Sequence, residues 1–491
     1  MSSDISTEKD LKDSLIYMMP LAVSMILPLI TLPLFTRILS TDDFGLLALS
    51  LAFAIFANGL VNFGTTLAFE RSFFEYSKDA KKLSQLFFSC LLFLNVNFLL
   101  IATLTFIFQD YISYLFTGSY EYGLFFFLAF IAQYFFLTIT KNYYTYFRNS
   151  YRSFVYSRYL IINSLLHFGL SILFIVYFKV GVIGIIYSQL ITGLIIFSTM
   201  SFLLRKELEP SLNRFLLIDI LKISYPLTPR IFIGVINNQF NIYMVGLLAN
   251  IGSAGIYDLA QKFSNLIFSL TTALENVFNP KIYDDIFHSE GSRSNAIGKY
   301  ITPFFYYSAF LSIIVTFLAE EFIFHLIPIE FHPAISVLYA LAIYPCILFF
   351  GKITSIQFLY KKKTFIISLV SILSLCLNII INIPFIMKFG LIGAAYGTVV
   401  SSLITLIISI HYAQKHFYIR WEWKKILLII VVLLFCLFGV IIIKQLSIDH
   451  NLIIVFKIFF IGLFIVSGIY LKILNRSFIQ NLKEFGTQKR V

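Results

Sequence analysis

The chain has 491 residues, of which 59% are hydrophobic and 13% charged, with a mean hydropathy of +0.87. That is too apolar for a soluble protein of several domains and places the chain among polytopic membrane proteins. The net charge of +12 falls mostly in loops between apolar stretches, where it reports topology, so nucleic acid is not an expected partner.

About 20 residues cross a bilayer as a helix, and on that measure the sequence predicts an all-α polytopic membrane protein of about fourteen spans. Their cores are 15–37, 44–69, 85–108, 122–140, 154–178, 182–204, 223–248, 255–280, 300–319, 334–358, 364–387, 391–413, 426–443 and 452–471. Residues 1–14 form a polar tail with no cleavage site after the first apolar stretch, so no signal peptide is expected to be removed. Lys and Arg concentrate in the N-terminal tail, in alternate loops near Lys81, Arg152, Arg214, Arg293, Lys362 and Lys424, and in the tail 472–491. The opposite side holds only Arg37, Lys179, Lys388 and Lys444. The positive-inside rule then puts both termini in the cytoplasm. Cys90, Cys346, Cys376 and Cys436 lie in apolar spans with no ligand spacing, so neither a disulfide framework nor a metal site is expected.

The first span carries Pro20, Ser24, Pro28, Thr31 and Pro33, which interrupt its backbone hydrogen bonding and let it bend. It closes on Leu34-Phe35-Thr36-Arg37, and Ser40-Thr41-Asp42-Asp43 reads as the cap of the second span. That second span carries Asn58 and Asn62 on one face and ends at Glu70-Arg71.

The run PLITLPLFTRILSTDDFGLLALSLAF, Pro28 to Phe53, resembles the opening of the polysaccharide-exporter branch of the MOP (MATE-like) superfamily, which holds the Wzx-type flippases of lipid-linked oligosaccharides. Pro33, Arg37, Phe44 and Gly45 carry the likeness most specifically, and as a layout it extends over the first twelve spans. The resemblance implies two six-helix lobes around a central cavity that alternates between inward-facing and outward-facing states. It also implies a bacterial inner membrane, an undecaprenyl-pyrophosphate-linked repeat unit such as that of O-antigen in lipopolysaccharide, and polymerase and chain-length proteins as partners in the pathway.

An internal repeat supports two lobes independently. KVGVIGIIY at Lys179–Tyr187 matches KFGLIGAAY at Lys388–Tyr396, 209 residues later, and Gly45 corresponds to Gly255. An even number of spans per repeat makes the repeat parallel. The expected domains are an N-lobe at 15–204, a charged cytoplasmic connector at 205–222 suited to a surface helix, a C-lobe at 223–413, and two helices outside the repeat at 426–471. The longest outer loop, Glu320 to Pro333, leaves no room for a soluble domain.

The seventh and eighth spans carry polar faces at helical spacing: Arg230, Gly234, Asn237 and Asn241, then Asp258, Lys262, Asn265, Ser269, Thr272 and Asn276. These groups either satisfy one another in a packed bundle or face water and substrate. Intramembrane cations cost enough to mark pathways. At a rise of about 1.5 Å per residue, Arg230 and Lys352 lie about 10 and 12 Å in from the cytoplasmic side, and Lys262 about 12 Å from the outer side. With Arg37 near the outer end of span one, cations occur at several depths, as a crossing pyrophosphate needs. Arg37, Arg230, Lys262 and Lys352, with Asn58, Asn237 and Asn241, are the candidate substrate contacts. Glu70, Asp258 and Glu275 are candidates for coupling to H+ or Na+, or for balancing a nearby cation; no other cofactor is expected. His167 shares that ambiguity, while Arg158 and Lys457 read as snorkelling residues. A flippase accounts for the cations best. A multidrug antiporter would want acids in the first span, and a membrane-embedded polymerase or glycosyltransferase would want long catalytic loops.

Overall fold

A computed structural model describes residues 19–20, 23–76, 78–208, 211–288, 294–361, 363–446 and 448–473, with the side chains of 226–227, 229–231, 235, 238, 274, 276–281, 283–288, 294–296 and 364 outside the description. Its regular structure is helical, with no strand among the described residues. Among the described residues, ten stretches are long and apolar enough to cross a membrane. One of them, Phe365–His416, holds two spans, because its helix Thr364–His416 breaks at Gly390 (φ 59°, ψ −137°). A shorter apolar helix, Val23–Thr36, supplies the first span. The helices Arg214–Leu248 and Ile251–His288 carry the polar faces of the seventh and eighth. Among the described residues this helix order follows the expected all-α layout.

The chain divides into two compact units, Met1–Asp258 with Ile327–Phe331, and Leu259–Leu326 with His332–Val491. In the first lie α1 (Val23–Thr36), α2 (Thr41–Asn62), α3 (Thr65–Tyr76), α4 (Ala80–Ile107), α5 (Gln109–Thr117), α6 (Gly123–Asn149), α7 (Ser153–Tyr177), α8 (Ile183–Leu204) and α9 (Arg214–Leu248). The start of α10 (Ile251–His288) also belongs to it. Ser40 caps α2 as its sequence predicts: its Oγ accepts from Asp43 N at 3.1 Å, and the Asp43 carboxylate accepts from Ser40 N at 2.9 Å. α2 is rich in small residues and lies buried against α6, α9 and α4.

The second span was expected to run unbroken over 44–69. It instead stops at Asn62, where Phe63 (φ 47°) and Gly64 (φ 73°) turn the backbone left-handed. The Asn62 carboxamide oxygen accepts from Thr65 Oγ1, Thr66 Oγ1 and Thr66 N, and so starts α3 in the manner of a cap. The connector expected at 205–222 also differs. Asn213 caps a helix that begins at Arg214 and continues to Leu248, so 214–222 are the first turns of α9 rather than a separate surface helix. Asn213 anchors that start to α4 through Ser89 and Gln85.

The repeat has a physical basis in its glycines. Gly181 (φ 78°) and Gly390 (φ 59°), which occupy matching positions of the two motifs, both take a left-handed conformation that glycine adopts without a Cβ clash. Gly45 and Gly255, also repeat-related, meet where α2 crosses α10. A Cβ on Gly255 would lie 2.5 Å from Gly45 N, and one on Gly45 would lie 1.8 Å from Ile251 O.

The second unit holds the rest of α10, α11 (Ser294–Leu326), α12 (Pro333–Leu341), α13 (Tyr344–Tyr360), α14 (Thr364–His416), α15 (Trp423–Gln445) and α16 (His450–Tyr470). Its core joins α11, α13, α15 and α16 around Phe304, Phe305, Phe349, Phe350, Cys436 and Phe464. The Tyr306 ring stacks on Phe464 at 4.8 Å and its hydroxyl donates to Phe464 O at 2.8 Å. The two helices outside the repeat are therefore part of this core.

Candidate functional site

Thr272 and Glu275 lie three residues apart on α10, on one helix face, with Phe268 one turn earlier. α13 supplies Lys352. Its ammonium pairs with the Glu275 carboxylate, donates to Thr272 Oγ1 at 2.9 Å and lies 4.6 Å from the centre of the Phe268 ring. Glu275 is only 3% exposed, whereas the Lys352 side chain is 35% exposed. The acid is sealed into the unit and the ammonium caps it from the open side. An ammonium has three N–H donors, and the hydroxyl and carboxylate use two. The arrangement can receive an anion at the lysine while the carboxylate holds the lysine in place.

The sequence put Lys352 and Glu275 in different roles, substrate contact and ion coupling. The structure joins them in one pair. The other candidates are more scattered. Arg230 lies on α9, and its side chain falls outside the described residues. Asn237 is half-buried and Asn241 buried on the same helix. Asp258 and Lys262 are half-buried one turn apart on α10. Arg37 is exposed just past the end of α1. Asn58 is buried and donates to Ala54 O at 2.9 Å and to Phe130 O at 3.2 Å, tying α2 to α6. Glu70 accepts from Arg148 at 2.6 Å in a partly exposed pair between α3 and α6. His167 sits 2.9 Å from Ser188 Oγ and packs on Phe136, as a histidine that serves packing does.

A second charged cluster escaped the sequence reading. α11 runs to Leu326, so Glu320 and Glu321, expected in an outer loop, are helical. Glu320 is buried and pairs with Lys444 and, at 2.7 Å, with Lys457; its carboxylate also accepts from the Tyr339 hydroxyl. Lys457 bonds Glu321 as well and is 3% exposed, so it is a buried ion-pair residue and does not snorkel. The adjacent acids were the available signal, but their lysine partners lie over a hundred residues downstream.

On the basic-loop side, Arg152 clasps Glu207 through two hydrogen bonds of 2.8 Å, linking the α6–α7 turn to the end of α8. The glutamate's hydrogen bonds raise the pKa of the guanidinium. Cys90, Cys346 and Cys436 are buried, Cys376 is exposed, and all are free thiols.

Residues 11–280 match the family described as polysaccharide biosynthesis protein. The chain belongs to that family. Comparison with curated protein sequences gives no match. Among solved structures, the chain is similar to the lipid II flippase MurJ in an inward closed conformation. The TM-score is 0.72 at 18% identity, covering 94% of this chain and all of that one. It is also similar to an inward-facing multidrug resistance MATE family transporter of the MOP superfamily, with TM-score 0.55, 16% identity, and 81% and 97% of the two chains covered. A Vibrio cholerae MATE transporter, VcmN, gives 0.52 at 17% identity, with 82% and 97% covered. These likenesses show the fold of MOP-superfamily transporters, and with the ten apolar stretches found among the described residues they support a multi-pass membrane protein.

Proposed function

We propose that the protein is a flippase, not an enzyme, which moves an undecaprenyl-pyrophosphate-linked oligosaccharide, of O-antigen type, from the cytoplasmic to the outer leaflet of a bacterial inner membrane. Membership of the polysaccharide biosynthesis family supports the glycan, and the likeness to a lipid flippase supports a lipid-linked form of it. The observation that carries the mechanism is the Lys352–Glu275 pair, a half-open cation set on a sealed carboxylate inside the second unit.

In this reading the pyrophosphate competes with Glu275 for Lys352. Arg230, whose planar fork suits a bidentate phosphate contact, supplies a second cation, and Lys262 and Arg37 serve at other depths. A proton or sodium ion taken up by Glu275 frees the lysine for the substrate, which couples the ion to the glycan during alternating access. Asn237 and Asn241 contact sugar. The lobes are those of the repeat, both termini are cytoplasmic, and a polymerase and chain-length proteins take over the exported unit.

The test is a deletion strain. Loss of surface glycan, with the lipid-linked unit retained in the cytoplasmic leaflet, supports the proposal. Intact glycan with a changed drug tolerance would favour a multidrug antiporter instead.

A further inference from the structure

We propose that Glu321, His325 and His450 form a binding site for a divalent transition-metal ion, zinc above all, at one end of the second unit. Glu321 and His325 are one turn apart on α11, and His450 is the first residue of α16. Both imidazole Nε2 atoms face the same carboxylate oxygen: His450 Nε2 is 2.9 Å and His325 Nε2 3.2 Å from Glu321 Oε2, with all three ligand atoms within 4.8 Å of one another. Zinc bonds of about 2.0–2.2 Å in tetrahedral geometry set ligand atoms about 3.3–3.6 Å apart. The His325 edge is therefore already close to the length that a shared ion requires, and the His450 edge would open by about 0.5 Å to reach it.

The surroundings hold the ligands in place. Phe324 stacks flat on the His450 ring at 4.1 Å and 10°, and meets His325 edge-on at 5.1 Å. Lys457 occupies the other Glu321 oxygen, Oε1, which leaves Oε2 to bind alone, as an outer partner orients a ligating carboxylate. Two acids, Glu320 and Glu321, meet two lysines, Lys444 and Lys457, so the background charge is balanced without the histidines. One carboxylate oxygen on a neutral background suits calcium or magnesium poorly, since both need several oxygens, whereas two imidazole nitrogens suit zinc, nickel or copper. His325 is 55% exposed, which leaves an entry path and room for water to complete the coordination.

The test uses the full-length protein, purified in detergent with a tag free of histidine, stripped with chelator and titrated calorimetrically with zinc chloride. One zinc per chain is expected, with affinity at least tenfold weaker in His325→Ala and in His450→Gln, and with no binding of calcium in the same range. Since His325 is largely exposed, its variant keeps the test valid if the His450 variant does not purify. No saturable zinc binding, or binding unchanged in His325→Ala, would overturn the proposal.

Discussion

Lys352 on α13 and Glu275 on α10 form one ion pair in the second unit, with the acid buried and the lysine half open. Removing one partner of a buried pair strands the other, at a cost of about 3–5 kcal/mol. Lys352→Ala is therefore expected to lower the amount of protein in the membrane as well as glycan display. Glu275→Gln should do less, because a carboxamide can still accept from the ammonium. Immunoblots of membranes, paired with glycan staining, separate the two effects.

Arg230 gives the complementary expectation. If its guanidinium holds substrate, Arg230→Ala abolishes glycan display while the protein accumulates normally, and Arg230→Lys restores display only in part, since a point charge replaces a planar fork. A fall in protein level in proportion to display would instead make Arg230 a structural residue.

Lys457 separates burial from snorkelling. As a residue held by Glu320 and Glu321, its replacement by Ala should cost about 3–5 kcal/mol, read as a large drop in thermal unfolding temperature in detergent. A shift no larger than that of an exposed lysine such as Lys424 would return it to the interface.

Gly255 tests the fold. Its Cβ would overlap Gly45 N and Thr41 O, both backbone atoms of α2 that no rotamer change can move. Gly255→Leu should prevent accumulation of a monodisperse protein, whereas Gly234→Ala, with open space around it, should not. Gel filtration of the two variants distinguishes them.

Topology is checked by single cysteines at Lys81, Arg152, Arg293 and Lys362 in a background lacking the exposed Cys376. All four should resist an impermeant thiol reagent added outside. Labelling at any two would reverse the orientation.

Much of the fold was legible because bilayer spans announce themselves by length and apolarity, and because the Ser40 cap and the Lys179 and Lys388 motifs are local signals. The break at Phe63-Gly64 was hidden by a non-glycine residue in a left-handed conformation within an apolar run. The continuity of α9 was hidden by charges that looked like a loop. At the site, residue type marked Lys352 and Glu275 separately, but their pairing spans 77 residues and two helices, which helical spacing cannot reveal. A still longer separation in sequence concealed the partners of Glu320 and Glu321 on α15 and α16.

The account rests on Lys352 serving substrate and not merely Glu275. The most direct measurement replaces the whole pair, Lys352→Met with Glu275→Leu, since apolar residues in place of a buried ion pair are commonly neutral or stabilising. Glycan display and membrane protein level are then read together. The account predicts a normal protein level with display lost. Normal display at a normal level would contradict it, and would leave the pair a structural clamp.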